Sequence, residues 1–223
     1  MPCLVFDGWA AAPDTWTRCT FPRTRVFNYL EQLDGCPARA IAALDDVILV
    51  GFSMGGSTAL RLFLAHPEKV RGLVLVSASP CMMEKEGGWK GMSSRRFDAL
   101  RLGTLMMHGN VASPLFSESS LDRGLAYLKS TDLREALAAC VAARNPSLPV
   151  RIFQSERDGI VRPNNAVFLQ RVFPQAVLEW IPGNEHVLPL VIPEKIGEAV
   201  RICRESVGDL AGSSQTNLPT GGI

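Results

Sequence analysis

With 223 residues, 47% of them hydrophobic and 20% charged, the chain is long enough for one sizeable domain and too apolar to be disordered throughout. The 23 Lys plus Arg against 22 Asp plus Glu leave a net charge of +1, which gives no global electrostatic reason for a nucleic-acid or membrane-surface partner. No apolar run approaches the roughly 18 residues needed to span a bilayer.

Cys3-Leu4-Val5-Phe6 is a short apolar strand. It follows Met1 and Pro2 directly, with no basic segment or apolar targeting core ahead of it, so the expected location is the cytoplasm. It runs into Asp7-Gly8-Trp9 and a loop rich in Ala, Pro and Asp, with a brief helix expected near Trp16. Residues 25–30 have the composition of a second strand, and residues 37–44 that of a short helix with Pro37 in its first turn. The apolar run Val47-Ile48-Leu49-Val50 then stops at Gly51-Phe52-Ser53-Met54-Gly55, and Ala59, Leu60, Leu62, Phe63 and Leu64 continue at helical spacing to about His66-Pro67. Residues 70–77 form the next strand, so strand and helix alternate as they do in a layered α/β structure with a mainly parallel sheet. From residue 80 to about 125 the sheet pattern lapses into a stretch with Met82, Met83, Met92, Met106 and Met107, read as an inserted cap. Methionine suits both a surface that adapts to a flexible apolar ligand and the filling of a small core. A helix is expected over residues 132–144, capped from Ser130, Thr131 or Asp132. Strands at 149–153 and 176–181, helices at 164–173 and 193–207, and a disordered tail over 208–223 complete the reading. The expected organisation is a core at 1–79 and 126–207 interrupted by the cap at 80–125.

Gly-x-Ser-x-Gly between a buried strand and a helix lifts a serine hydroxyl clear of the chain, because small residues on either side let the backbone turn tightly. Ser53 is therefore the candidate nucleophile. A serine needs a base and an acid that orients the base. Of the three histidines, His66 lies at a helix end and His108 within the cap, whereas His186 follows a strand in Gly183-Asn184-Glu185-His186. Asp158, shortly after the strand at 149–153, is the candidate acid, with Glu156 in reserve. The order Ser53, Asp158, His186 is that of the α/β-hydrolase arrangement. The amides of Met54 and Trp9 are the candidate oxyanion donors, and the Trp9 indole a candidate substrate contact. The six cysteines include no Cys-x-x-Cys pair, so they are read as reduced and mostly buried, and neither a metal nor another cofactor is called for.

With these residues placed, the chain resembles the α/β-hydrolase family. Within it the chain is similar to the pimeloyl-[acyl-carrier protein] methyl ester esterases of biotin synthesis. The likeness runs through Asp7-Gly8-Trp9 with Trp16, the elbow at Ser53, Ser77-Ala78-Ser79-Pro80-Cys81, Arg96-Phe97-Asp98-Ala99-Leu100, residues 125–134, Asp158-Gly159-Ile160-Val161 and His186. It implies an α/β-hydrolase fold with a small cap and a Ser53, Asp158, His186 triad acting on an ester, either a small molecule or one borne by a carrier protein. It also implies an acyl pocket that includes Phe97, Asp98, Ala99, Leu100 and Arg101. Acyl carrier protein would be the partner, met by cap arginines such as Arg95 and Arg96; the other reading of those arginines is a solvated helix face. Three features depart from the family pattern, which makes the expected fold N-terminally shortened: the sequence starts at the strand before the Trp9 loop, without the earlier antiparallel strands usual in the fold; Asp7 stands where His-Gly is common; and the cap is shorter. A general short-chain carboxylesterase, and a non-catalytic binding protein of the same fold, are the competing readings.

Overall fold

The computed structural model describes residues 1–20, 24–86, 88–108, 111 and 113–212. Six strands, β1 (Cys3–Phe6), β2 (Thr24–Phe27), β3 (Val47–Phe52), β4 (Val70–Val76), β5 (Val150–Ser155) and β6 (Val177–Ile181), form one sheet in the order β2-β1-β3-β4-β5-β6. Every neighbouring pair is parallel, with Val5 opposite Val50 and Leu75 opposite Ile152. A parallel sheet needs both faces covered, and alternate residues of each central strand supply the two faces. Leu4, Phe6, Leu49 and Leu75 pack on one side with Phe63 and Leu169. Cys3, Val5, Ile48, Val50 and Val74 pack on the other with Ile196, Val200 and Cys203.

The helices are α1 (Tyr29–Leu33), α2 (Cys36–Ala42), α3 (Met54–Ala65), α4 (Ser94–His108), α5 (Glu118–Ser130), α6 (Arg134–Ala139), α7 (Asn164–Val172), α8 (Leu188–Val191) and α9 (Pro193–Gly212). A third apolar cluster, with Tyr29, Met54, Met82, Met92, Phe97 and Leu128, joins the segment between β4 and β5 to the sheet. Of the methionines in that segment, Met82 and Met92 are buried in this cluster, whereas Met106 and Met107 are exposed on α4.

Several local expectations are corrected. The strand expected over 25–30 ends at Phe27, because Asn28 caps α1: its side chain accepts from the Glu31 N–H, and the Glu31 carboxylate accepts from the Asn28 N–H. Around Trp16 there are turns closed by i to i−3 bonds, such as Thr15 N–H to Ala12 C=O, and no helix. The single helix expected over 132–144 is α6 followed by a 3-10 turn, Val141–Arg144, because Cys140 is extended at φ −72° and ψ 109°. Ser130 and Thr131 end α5 instead of starting that helix. α9 continues past residue 208 to Gly212, and the rest of the expected tail, 213–223, lies outside the described residues. All six cysteines are free thiols, with Cys3, Cys81 and Cys203 buried and the other three half-buried.

Candidate active site

Ser53 sits between β3 and α3 with φ 54° and ψ −116°, a backbone conformation that costs energy for any residue with a Cβ. Two close approaches make the turn possible. A Cβ on Gly51 would stand 2.5 Å from the Gly55 carbonyl oxygen, and one on Gly55 would stand 2.1 Å from that of Phe6. Only glycine lets the elbow fold this tightly and pack on the end of β1. The Ser53 side chain caps nothing in α3, which leaves its hydroxyl available.

The hydroxyl oxygen lies 3.0 Å from His186 Nε2, and His186 Nδ1 lies 2.8 Å from Asp158 Oδ2. Asp158 is 2% exposed, and Oδ1 accepts from the N–H groups of Ile160 at 2.8 Å and Val161 at 3.0 Å. Gln154 Nε2 adds a weaker contact to Oδ2 at 3.3 Å. These donors leave Oδ2 aimed at the imidazole, which fixes the proton on Nδ1 and the free lone pair on Nε2. Glu156, the reserve acid, is exposed, and no hydrogen bond joins it to His186 among the described residues. The loop carrying His186 is held by hydroxyls at two other strand ends: Ser77 donates to the His186 carbonyl at 3.1 Å and Ser155 to the Glu185 carbonyl at 2.5 Å. The sequence reading assigned neither contact, since a serine at a strand end carries no signal of its partner. Ser79 explains the Ser-x-Ser-Pro-Cys motif: its hydroxyl donates to Asn165 Oδ1 and accepts from the Cys81 N–H, and its carbonyl accepts from Ser57. It ties β4 to α3 and α7.

Among the described residues, no acceptor takes the backbone N–H of Trp9 or Met54. The Trp9 indole donates to the Leu121 carbonyl at 3.1 Å and lies on α5, where a Cβ on Gly124 would come within 2.2 Å of it. Ser53 and His186 open on a cavity of about 290 Å³ whose other walls include Trp9, Met82, Leu100, Leu128 and Ile160. Its lining is largely apolar, as ligand sites generally are.

Of the five residues expected in the acyl pocket, only Leu100 lines this cavity. Phe97 is buried beneath it with Met54 and Met82; Asp98 and Ala99 are exposed; Arg101 turns to Asp122 and Glu118 of α5. Successive residues of a helix point about 100° apart, so five in a row cannot share one wall. The sequence reading missed Thr104 and His108, one and two turns further along α4, which do line it. The i, i+4 spacing from Leu100 was the available signal. Arg95 and Arg96 are exposed on the first turn of α4; Arg96 donates to the Gly159 carbonyl at 3.0 Å, beside the Asp158 turn.

A family model described as alpha/beta hydrolase fold matches residues 12–90. The pimeloyl-[acyl-carrier protein] methyl ester esterase of Yersinia enterocolitica serotype O:8 is 31% identical over 185 residues, covering 71% of this chain and 69% of that protein. Its counterpart from Salmonella paratyphi A is 29% identical over 192 residues, covering 74% and 72%. Among solved structures, an esterase from Exiguobacterium antarcticum superposes with a TM-score of 0.68 at 20% identity over 91% of each chain. A bromoperoxidase from Bacillus anthracis gives 0.67 at 17% identity over 92% of this chain and 91% of that one, so these likenesses establish the fold. With fold, family match and curated relatives in agreement, the chain belongs to the α/β-hydrolase family and is a carboxylic ester hydrolase.

Proposed function

We propose that Ser53, His186 and Asp158 are the catalytic triad of an esterase that hydrolyses the methyl ester of a pimeloyl chain carried by acyl carrier protein, a step of biotin synthesis. The observation that carries the reading is the unbroken Ser53, His186, Asp158 relay opening on an apolar cavity. His186 Nε2 takes the hydroxyl proton as Ser53 Oγ bonds to the ester carbonyl carbon. The carbonyl oxygen becomes negative where the Trp9 and Met54 N–H groups have no other acceptor, and Asp158 stabilises the imidazolium that forms. The proton then passes from Nε2 to the departing alkoxide, which leaves as the alcohol. Water, deprotonated by the same nitrogen, attacks the acyl-serine to release the carboxylic acid and regenerate Ser53. The segment 80–125 serves as a cap over the acyl chain.

The curated relatives carry pimeloyl-[acyl-carrier protein] methyl ester esterase as their name, which supports this substrate. A second reading, a general short-chain carboxylesterase, is favoured by one observation: much of the cap's positive charge is already committed. Arg101 pairs with Asp122 and Glu118, and Arg123 with Asp34. The test is turnover of an activated short-chain ester and labelling by a serine-directed phosphonate, each in wild type and Ser53→Ala. Turnover and labelling in wild type should both vanish in the variant, with kcat falling by about a millionfold. Absence of both in wild type would favour a binding protein. Restoration of biotin-independent growth in a host lacking its own methyl esterase separates the first reading from the second.

A further inference from the structure

Asp7 is a buried carboxyl beside the Trp9 loop to which the steps above give no task. It leaves β1 one residue before Gly8 and is 5% exposed. Its N–H donates to the Phe27 carbonyl at 3.0 Å, and its carbonyl accepts from Gln32 Nε2 at 2.8 Å. Gln32 in turn accepts from Thr58 of α3 at 2.7 Å, so this peptide is braced against the nucleophile helix. Oδ1 accepts from the Gly8 N–H at 3.1 Å and from the Trp16 indole N–H at 3.0 Å. Trp16 presents its edge to Phe52, with centroids 6.4 Å apart and planes at 79°, and Phe52 tilts against His186 at 5.2 Å. Gly8 closes on the same ring: a Cβ there would stand 2.8 Å from Phe52 Cε1. One carboxyl oxygen thus fixes both the peptide that leads into the Trp9 N–H and the aromatic wall behind the imidazole.

We propose that Asp7 is a positioning residue of the esterase site, which holds the Trp9 N–H and, through Trp16 and Phe52, the His186 ring where the transition state needs them. The inference rests on the triad reading. The groups around Asp7 are Gly8, Trp16, Phe27, Gln32 and Gly55, and no charged side chain among the described residues faces it. Burial pushes the carboxyl up to about 7, against the downward pull of the Trp16 and Gly8 hydrogen bonds. In its neutral form it accepts from two donors without placing a full charge beside the oxygen that turns negative. An apolar residue would avoid the burial cost but take the carboxyl acceptor away from both N–H groups.

The test compares Asp7→Ala, which removes the acceptor, with Asp7→Asn, which keeps it, on an activated short-chain ester at pH 6. Because oxyanion alignment acts only in the transition state, kcat of the Ala variant should fall by about tenfold or more, with KM within about twofold. The Asn variant should recover to within about threefold of wild type, and phosphonate labelling at Ser53 should slow in parallel with kcat. A folded Ala variant with wild-type kcat, or equal losses in Ala and Asn, would overturn the proposal. Should Asp7→Ala not fold, Trp16→Phe removes one donor while keeping the ring: a lower kcat at unchanged KM supports the proposal, and an unchanged kcat overturns it. Wild-type protein without turnover or labelling would instead overturn the triad reading, so the two failures are distinguishable.

Discussion

At Ser53 the backbone itself carries a cost, since φ 54° suits glycine and penalises any side chain. Ser53→Gly should therefore abolish turnover and raise the unfolding free energy by about 1 kcal/mol, whereas Ser53→Ala should abolish turnover with little such gain. Urea denaturation of the two variants side by side checks this, and equal stabilities would mean the elbow stores no strain. Asp158→Asn should lower kcat by about ten-thousandfold through the wrong tautomer, while Glu156→Gln, at an exposed side chain, should be silent in the same assay. Asp7 ties pH to stability. Its carboxyl rises from 3.8 to about 7 on folding, so the native state holds the proton more tightly and stability falls as pH climbs from about 4 to 7, then levels off. Asp7→Asn should remove that slope, which denaturation midpoints across the window would show. The meeting of Ser53, His186 and Asp158 was legible because hydroxyl, imidazole and carboxylate chemistry restricts residue types and their order along the chain is informative. Asp7, Ser77 and Gln154 were not, since their roles depend on which backbone and side-chain atoms meet them in space.

At the scale of elements, the strands of the central sheet read clearly because both faces are buried and the apolar runs are nearly continuous, as in Val47–Phe52. Short helices read poorly: α1 was absorbed into a strand because Tyr29 and Leu30 suit either, and only the Asn28/Glu31 pair distinguishes them. α5 has a role that spacing could not show. Gly124 makes the notch in which the Trp9 indole lies, so α5 and the loop carrying Trp9 share one contact. Gly124→Ala improves helix propensity by about 1 kcal/mol, but its methyl group would displace Trp9. The expected result is a protein at least as helical by circular dichroism with kcat on a small ester lowered by about tenfold. Unchanged kcat would show that α5 can shift without moving the Trp9 amide.

For the whole molecule, a net charge of +1 says little, and partner recognition rests on local patches. Arg95 is the clean probe of a carrier-protein contact, because Arg96 is bonded to the Asp158 turn and Arg101 is ion-paired. Arg95→Glu should lower kcat/KM on a carrier-bound methyl ester several-fold at low salt and leave a small neutral ester untouched, with the difference shrinking as salt is added. Equal behaviour on both substrates would return Arg95 to a solvated surface. The parallel topology has a temporal consequence. Ser53 and His186 are separated by 133 residues and His186 and Asp158 by 28, and each sits at the end of a different strand, β3, β6 and β5 respectively. No fragment that lacks the paired strands from β3 to β6 can bring them together, and contacts so distant in sequence are slow to form. Ester turnover is thus a clock for the last step of folding: on dilution from urea, helical signal should return first and activity only with the slowest phase.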